Sequence, residues 1–283
     1  MSLPYLDAAE VARRLDVVGA ADALQAALRG GLDPEAGAAR TALPVGRGEL
    51  LVMPAAAGRH ATVKLVSVGG EPRIQGICVV FDGTTLAPAA LVDGIALTNL
   101  RTPAVSALAV RALVAAGPPP RRLLVVGRGP QGHAHVDALR AVCPTIEHVD
   151  VVGRDVDGAA RDELVAAADL IVCATTARAP LFDGARVAAH ATVVAIGAHE
   201  PDARELDAGL LRRAGVVVVE SRGSARREAG DILLAGLADE DLVTLAELIA
   251  GGRDDAPAPA GPRIFKSTGM AWEDAVVASA LVR

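Results

Sequence analysis

The amino-acid sequence predicts an α/β protein that joins a doubly wound parallel sheet to a smaller α+β domain with an antiparallel sheet. In the second half of the chain, apolar runs alternate with segments of helical spacing, which is the pattern of a parallel sheet covered on both faces. In the first half, short apolar segments are broken by Gly and Pro, which is typical of consecutive antiparallel strands. A glycine-rich turn follows the first apolar run of the second half.

The first domain is predicted to begin with two helices and to continue with a sheet. Asp7 followed by Glu10 resembles a capping box, and Asp16 is placed to cap a second helix that ends at Gly30. After the strands comes a long helical pattern, and Pro103 should lie at or near its start or at a kink. The predicted strands are ELLVMPA, ATVKLVSVG, IQGICVVFDG and TLAPAALVD.

The run GPPP at 117–120 is a stiff connector and is predicted to separate the two domains. We expect a first domain over residues 1–116, completed by a C-terminal helix at 268–283, and a second domain over 117–267. A polar, proline-rich loop is expected at 251–261. The predicted strands of the second domain are LLVVG, EHVDVVG, DLIVCAT, ATVVAIG, VVVVE and RIFK.

A G-x-G-x-x-G motif, formed by Gly127, Gly129 and Gly132, lies between a predicted strand and a predicted helix. Glycines there let the backbone turn tightly and approach a pyrophosphate, which then lies at the helix N-terminus. Pro130 and Gln131 complete the loop and are expected to contact the same ligand. The next predicted strand falls where a βαβ unit requires it, so we interpret the loop as a dinucleotide site. The alternative is a glycine-rich turn without a ligand.

The composition argues against several classes of partner. The net charge is −6 and no basic block is present, which disfavours nucleic acid and anionic membranes. We find no signal-peptide pattern and no apolar run of membrane-spanning length. Cys78, Cys143 and Cys173 lie far apart in apolar segments, which indicates reduced thiols in a cytoplasmic protein. The histidines lack metal-ligand spacing, so no metal site is expected.

Longer strings that span nearly the whole chain carry a specific family resemblance. In order, they are MP with VKLVSV, VVFDG, LVDGIALTNLRTPAVSALA, VVGRGPQG, VVAIGAHEPDARELD, EAGD and FKSTGMAWED. In these strings the chain resembles the ornithine cyclodeaminase/mu-crystallin family, which includes ornithine cyclodeaminases, some alanine dehydrogenases, and ketimine or cyclic imine reductases. The resemblance implies a homodimer. Residues 1–116 and the C-terminal helix would bind substrate and dimerise, and a Rossmann domain at 117–267 would bind NAD(H) or NADP(H).

The resemblance assigns Arg40, Lys64 and Arg101 to the carboxylate of a small amino, imino or oxo acid substrate. An arginine fork suits this task, because it binds a carboxylate with two parallel hydrogen bonds. Alternation alone places Lys64 on the solvent face of its strand. The resemblance instead favours a pocket, where a lowered pKa would make Lys64 a catalytic proton donor or acceptor. If the three cations converge, we expect their repulsion to destabilise the empty site.

Further cofactor contacts are expected after the second, third and sixth predicted strands of the Rossmann domain. Arg154 stands about where an acidic residue would bind the ribose 2′-hydroxyl, which favours NADP(H), with NAD(H) as the alternative. Asp150 or Asp155 would face the ribose if the strand ended earlier or later. Three hydroxyl side chains either approach the cofactor or serve as turn residues: Thr175, Thr176 and Ser267.

Two departures from the family pattern bear on the reaction. Ornithine cyclodeaminases of the family have carboxylates where this chain has His199 and Leu51, which disfavours handling of a second, cationic amine. His199 either takes over acid/base catalysis or is a loop residue without a catalytic role. We therefore expect an NAD(P)H-dependent reductase of a small imino or oxo acid, or the reverse oxidation. The alternatives are an ornithine cyclodeaminase that recycles NAD, and a non-catalytic dinucleotide-binding protein.

Overall fold

The computed structural model describes residues 3–115, 117–251 and 260–282. The chain forms two compact units. The first comprises the residues up to Val105 together with those from Met270, and the second comprises Ser106–Gly269. The division falls within a long helix, whereas the predicted boundary is the proline run that follows that helix. Most of the predicted loop at 251–261 lies outside the described residues.

The strands and helices of the described residues are named here in chain order. The strands are β1 (Tyr5–Leu6), β2 (Thr41–Val45), β3 (Gly48–Ala57), β4 (His60–Val68), β5 (Ile74–Asp82), β6 (Pro88–Asp93), β7 (Arg122–Val126), β8 (His148–Val152), β9 (Leu170–Cys173), β10 (Thr192–Ala195), β11 (Val216–Val219), β12 (Leu242–Thr244) and β13 (Arg263–Lys266). The helices are α1 (Ala8–Arg14), α2 (Val17–Arg29), α3 (Gly94–Val114), α4 (Pro130–Val142), α5 (Gly158–Ala167), α6 (Ala208–Arg212), α7 (Arg222–Glu228), α8 (Gly230–Ala235), α9 (Leu245–Ala250) and α10 (Ala271–Leu281).

The first unit is built on a six-stranded sheet with the order β1-β6-β5-β4-β3-β2. Strands β3 to β6 pair antiparallel, as predicted. The strand β2, which was not predicted, pairs antiparallel with β3, and the short β1 pairs parallel with β6. The register aligns Met53, Lys64 and Cys78 in one row across β3, β4 and β5. Side chains in one row of a sheet point to the same face. The last helix, α10, packs against β3 and β4, so the C-terminal segment completes this unit.

The helices of the first unit follow most of the sequence signals. Asp7 accepts a hydrogen bond from the backbone N–H of Glu10 at 2.9 Å, and Asp16 accepts one from Gly19 at 2.7 Å, which confirms both predicted caps. Pro103 lies inside α3 and not near its start, so of the two expected places only that of a kink remains. Within the described residues, no helix combines the length and the apolar character needed to span a membrane.

The second unit contains a seven-stranded parallel sheet with the order β12-β11-β13-β10-β9-β7-β8. Every residue of β9, β10, β11 and β13 is buried, because helices cover both faces of the sheet. The strand β12 was not predicted, since three residues are too few for a periodic signal. The order reverses beside β7, whose neighbours are β8 and β9. Ligands of doubly wound sheets bind at such a reversal, outside the carboxyl ends of the strands.

Candidate active site

Two of the three motif glycines are required by the packing of the backbone. Gly127 follows β7 with φ of +131°, and a Cβ there would lie 2.2 Å from the carbonyl oxygen of Ala174. A Cβ on Gly132 would lie 1.9 Å from the carbonyl oxygen of Gly127. Both distances are far below van der Waals contact, so any side chain would force the turn apart. These two glycines are explained by the fold alone, with or without a ligand.

The remaining motif glycine has a different environment. A Cβ on Gly129 would meet no atom within 4 Å, and the residue is exposed. Gly129 is the N-cap of α4 and makes no side-chain cap, and Pro130 occupies the first turn without an N–H group. The loop therefore leaves room for an anion at a helix N-terminus, where backbone N–H groups and the helix dipole favour negative charge. These features fit the pyrophosphate of a dinucleotide.

A buried histidine anchors the first turn of α4. The Nδ1 atom of His135 lies 2.7 Å from the carbonyl oxygen of Gln131, and Nε2 lies 2.9 Å from the hydroxyl of Ser106 on α3. Burial lowers the pKa of His135 to about 4, so the ring is neutral near pH 7. Since a carbonyl oxygen only accepts, Nδ1 carries the proton and Nε2 accepts from the serine. These contacts fix the end of the glycine loop.

Two arginines lie at the tip of β8. The strand ends at Val152, and Nη2 of the exposed Arg154 lies 3.4 Å from the hydroxyl oxygen of Thr176. Beside it, Nη1 of Arg128 lies 2.6 Å from the carboxylate of Asp155. Asp150 lies within β8, so it does not occupy the tip. The tip of β8, where an acidic residue would bind a ribose diol, therefore carries two guanidinium groups and one carboxylate, that of Asp155.

The other predicted cofactor residues are held by buried carboxylates. Thr175 donates from its backbone N–H and its hydroxyl to Glu205, at 2.8 and 2.7 Å. Ser267 is buried and donates its hydroxyl to Glu220 at 2.6 Å. Buried carboxylates thus hold Thr175 and Ser267 in place. Their backbone positions still lie after β9 and β13, at the carboxyl edge of the sheet.

A buried charged network, which the sequence analysis did not single out, organises this edge. Nζ of Lys266 lies 2.9 Å from Asp231 and donates to the carbonyl oxygen of Ala198 at 2.5 Å. Asp231 accepts from the backbone N–H groups of Glu205 and Leu206, both at 2.8 Å. Burial raises the pKa of Glu205, and the nearby lysine opposes that rise. The strings RELD, EAGD and FKSTG supply these three charges.

His199 is the predicted acid/base residue of the second unit. It is exposed, and its Nδ1 lies 3.1 Å from the carbonyl oxygen of Gly197, to which it donates. The preceding Ala198 is held through its carbonyl oxygen by Lys266. The charged network therefore fixes the backbone of the loop that carries His199. Lys64, the other predicted catalytic residue, belongs to the first unit.

In the first unit, Lys64 and Arg101 converge on two carboxylates of α10. Lys64 is 2% exposed, so its solvent-facing alternative is wrong. Its Nζ lies 2.8 Å from both carboxylate oxygens of Asp274. Arg101, on α3, places Nη1 2.6 Å from Glu273 and Nε 3.2 Å from Asp274. These four buried side chains are called the lysine–arginine cluster below.

Arg40 has a different position from the other two predicted cations. It is half-buried and lies one residue before β2, whose first residue Thr41 pairs with Val52. Continuing this register places the backbone of Arg40 beside Met53, which pairs with Lys64. Two strand spacings, about 10 Å, separate the two chains at this row. The structure thus brings Lys64 and Arg101 together and places Arg40 at the adjacent edge of the sheet.

Carboxylates balance the two cations that come together, Lys64 and Arg101, although Arg101 still opposes the charged form of Lys64. Burial lowers the pKa of Lys64, and the carboxylate of Asp274 opposes that shift. Burial also raises the pKa of the neighbouring Cys78 to about 12, so this thiol stays neutral. Glu273 and Asp274 were missed by the sequence analysis. Their signal is the pair of acidic residues in an otherwise apolar C-terminal helix.

The fold and the glycine turn define a dinucleotide-binding protein. Its first unit also carries the lysine–arginine cluster, in which two carboxylates balance two buried cations. The sequence matches the profile of the ornithine cyclodeaminase/mu-crystallin family over residues 5–162 and 158–283. The chain belongs to this family. It is a nicotinamide-dependent oxidoreductase with the predicted α/β fold.

Two curated relatives and one solved structure illustrate the similarity. The chain is 33% identical to Δ1-pyrroline-2-carboxylate reductase 2 of Burkholderia ambifaria, over 96% of this chain and 93% of the relative. It is 37% identical to ketimine reductase mu-crystallin of Mus musculus, over 84% of this chain and 82% of the relative. The structure of Thermococcus litoralis Δ1-pyrroline-2-carboxylate reductase in complex with NADH and L-proline superposes with a TM-score of 0.86. The two sequences are 25% identical, and the match covers 99% of this chain and 96% of the Thermococcus chain.

The two kinds of motif glycine lead to a matched test. Gly129→Ala should leave thermal stability unchanged and weaken binding of a reduced nicotinamide dinucleotide by roughly tenfold, because the methyl group takes space that the pyrophosphate needs. Gly132→Ala should lower the melting temperature, because its Cβ would meet a carbonyl oxygen. Calorimetry and fluorescence titration measure the two effects. Equal melting temperatures for the two variants would contradict the assignment.

Proposed function

We propose that the protein is an NADPH-dependent reductase of a small cyclic imino acid such as Δ1-pyrroline-2-carboxylate. The observation that carries this proposal is the lysine–arginine cluster, which buries a lysine and an arginine at one place on the first unit. A guanidinium binds a carboxylate, and a lysine ammonium donates a proton. An imino acid carries both groups that these side chains would serve. The names of the reductases among the relatives agree with this substrate class.

Each residue has a defined task in this reaction. Arg101 and Arg40 would bind the substrate carboxylate and orient the C=N bond. Lys64 would donate a proton to the imine nitrogen, since a protonated C=N bond accepts hydride more readily. When bound, the reduced nicotinamide supplies the hydride. His199 is the second candidate for proton transfer, and its place in a loop fixed by the charged network supports it.

The chain lacks the groups that the cyclodeaminase alternative requires. Leu51 lies two residues from Met53 on the same strand and therefore shares the face that carries Lys64. An apolar side chain there offers no charge to a second amine, and His199 stands in place of an acidic residue. Retention of Arg40, Lys64 and Arg101 argues against the non-catalytic alternative.

The first test is turnover. With NADPH, the protein should reduce Δ1-pyrroline-2-carboxylate to proline. The reaction is monitored through the fall in absorbance of the reduced nicotinamide. Arg101→Lys should lower kcat/KM by about tenfold or more without changing NADPH affinity, because an ammonium lacks the planar fork. Lysine keeps the charge, so Glu273 is not left unpaired. Proline and ammonia formed rapidly from L-ornithine and NAD would overturn the proposal.

The second test concerns the cofactor. The guanidinium groups at the tip of β8 support a preference for NADPH, because Arg154 can pair with a 2′-phosphate. Arg154→Ala should weaken NADPH roughly tenfold or more and change NADH affinity little. Arg140→Ala, at the exposed opposite end of α4, is the control and should change neither. Tighter binding of NADH than of NADPH by the unmodified protein would reject the preference.

We also infer that the protein is a homodimer. The face of the first sheet that points away from α10 presents half-buried apolar side chains, including Val63, Leu65 and Val79. A second copy would bury this face. Light scattering should therefore give twice the chain mass. Val79→Glu should shift the mass toward a monomer, whereas Leu234→Glu, on the exposed surface of the second unit, should not. A monomeric unmodified protein would refute the inference.

A cytoplasmic location remains our proposal. Cys78, Cys143 and Cys173 are buried thiols without disulfide partners, which supports a reducing environment. The proposed substrate and the reduced cofactor are also metabolites of that compartment.

A further inference from the structure

The chain uses lysine at two positions only. Lys64 and Lys266 are the two lysines of the whole sequence. Apart from the histidines, all its other basic side chains are arginines. Both lysines are buried, one in each unit, and each lies within 2.9 Å of a buried aspartate. Exposed basic positions therefore use arginine, while lysine is confined to sites where an ammonium is surrounded by protein. This distribution indicates that these two sites need a property that arginine lacks.

At Lys64 the relevant property is a titratable proton. Arginine stays protonated throughout the range in which proteins are stable, whereas the pKa of a lysine shifts readily on burial. Within the lysine–arginine cluster, Arg101 can only bind and orient. Lys64 can also release a proton. Burial by itself favours the neutral amine, which has no proton to give, so a buried lysine donor needs a partner that keeps it charged.

We propose that Asp274 is the positioning residue that keeps Lys64 in its ammonium form between turnovers and directs it in the reduction step. This inference rests on the proposed reductase function. The carboxylate of Asp274 is fully buried and places both oxygens 2.8 Å from Nζ. Thr98 lies 3.5 Å from the same nitrogen and adds little. Asp274 therefore contributes the dominant opposite charge.

The other charged or titratable groups that face Lys64 come from three of the elements around it, α3, α10 and β5. Arg101 on α3 disfavours the ammonium, and Glu273 on α10 favours it more weakly than Asp274 does. Cys78 on β5 remains a neutral thiol because burial raises its pKa to about 12. The facing residue of β3 is Met53, which carries no charge. Burial has the largest effect on the charge state of Lys64, and among the charged neighbours Asp274 has the largest.

The reaction step balances with these groups. In the proposed step, the nicotinamide, when bound, would supply two electrons and a hydrogen as hydride to the imine carbon, and the proton of the Lys64 ammonium would form an N–H bond as the C=N π bond breaks. The imine would thus be reduced at the expense of the nicotinamide, and Lys64 would be left as a neutral amine. Water then returns a proton to Nζ, and Asp274 makes that return favourable. Asp274 itself does not contact the substrate in this scheme.

The small number of lysines makes a direct measurement simple. A sample labelled with ¹³C at lysine Cε gives two lysine signals, and Lys64→Arg assigns them. In the unmodified protein, Lys64 should be charged at pH 7 without any ligand. In the Asp274→Asn variant, the pH midpoint of the Lys64 titration should fall by about one to three pH units. This is the usual effect of losing an opposite charge at this distance. The Lys266 signal, beside Asp231, should be the same in both samples and is the internal control.

Kinetics supply a second readout that a merely structural role would not change. In the pH profile of kcat/KM, activity should fall at high pH along a limb that reports the loss of the Lys64 proton. In the Asp274→Asn variant this high-pH limb should move to lower pH by the same amount as the midpoint of the Lys64 titration. Asp274→Glu keeps the charge and should restore the limb. Glu273→Gln is the matched control on the same helix. It should raise KM through Arg101, and it should shift the limb less than Asp274→Asn does.

The outcomes separate the two proposals. An unmodified protein that reduces no imino acid would overturn the proposed function, while the NMR midpoint would still test the Lys64–Asp274 pair. An active enzyme whose Lys64 midpoint and pH limb are the same in Asp274→Asn would overturn the role of Asp274. If Asp274→Asn does not fold, the unmodified protein decides, since a Lys64 that is neutral at pH 7 would also overturn it.

Discussion

The burial of charge in the lysine–arginine cluster is the constraint on which the first unit depends. Two cations from β4 and α3 would be costly in an apolar interior, and the two carboxylates that balance them both come from α10. Removal of either partner from a buried pair typically costs about 3–5 kcal/mol. The chain must therefore return from the second unit and place its last helix on the first sheet. The apolar residues of α10 add packing, and Glu273 and Asp274 supply its ion pairs with Arg101 and Lys64.

The second unit solves a related problem with a different purpose. Glu205, Asp231 and Lys266 are buried at the carboxyl edge of the parallel sheet, and their oxygens and nitrogen bind backbone groups of the loops after β9 and β10. Loop backbone normally needs partners from water or from itself. Here buried side chains supply them, so the loops keep one geometry at the edge where the glycine turn leaves room for a ligand. Rigid loops lose less entropy on binding a dinucleotide.

Local signals predicted most of the strands and the glycine turn. Four-residue apolar strands, the caps at Asp7 and Asp16, and the motif between β7 and α4 depend on neighbours in sequence, and all of them are present in the structure. The carboxylate partners were not predictable in this way. Lys64 and Asp274 are separated by 210 residues, and no periodicity connects them. The family resemblance identified the cations but was silent about their counterions, which is why repulsion was expected.

The same limitation applies to residues that look alike in sequence. Gly127, Gly129 and Gly132 belong to one motif, yet two of them satisfy backbone packing and only Gly129 faces open space. Lys64 and Arg101 likewise count as equal charges in a composition, but within one cluster they can do different things. Arg101 is restricted to binding, because a guanidinium stays protonated at every pH at which proteins are stable. Lys64 can bind and release a proton, and the carboxylate beside it determines which of these states is populated. A reductase that needs both an anchor and an acid has a physical reason to use one residue of each kind.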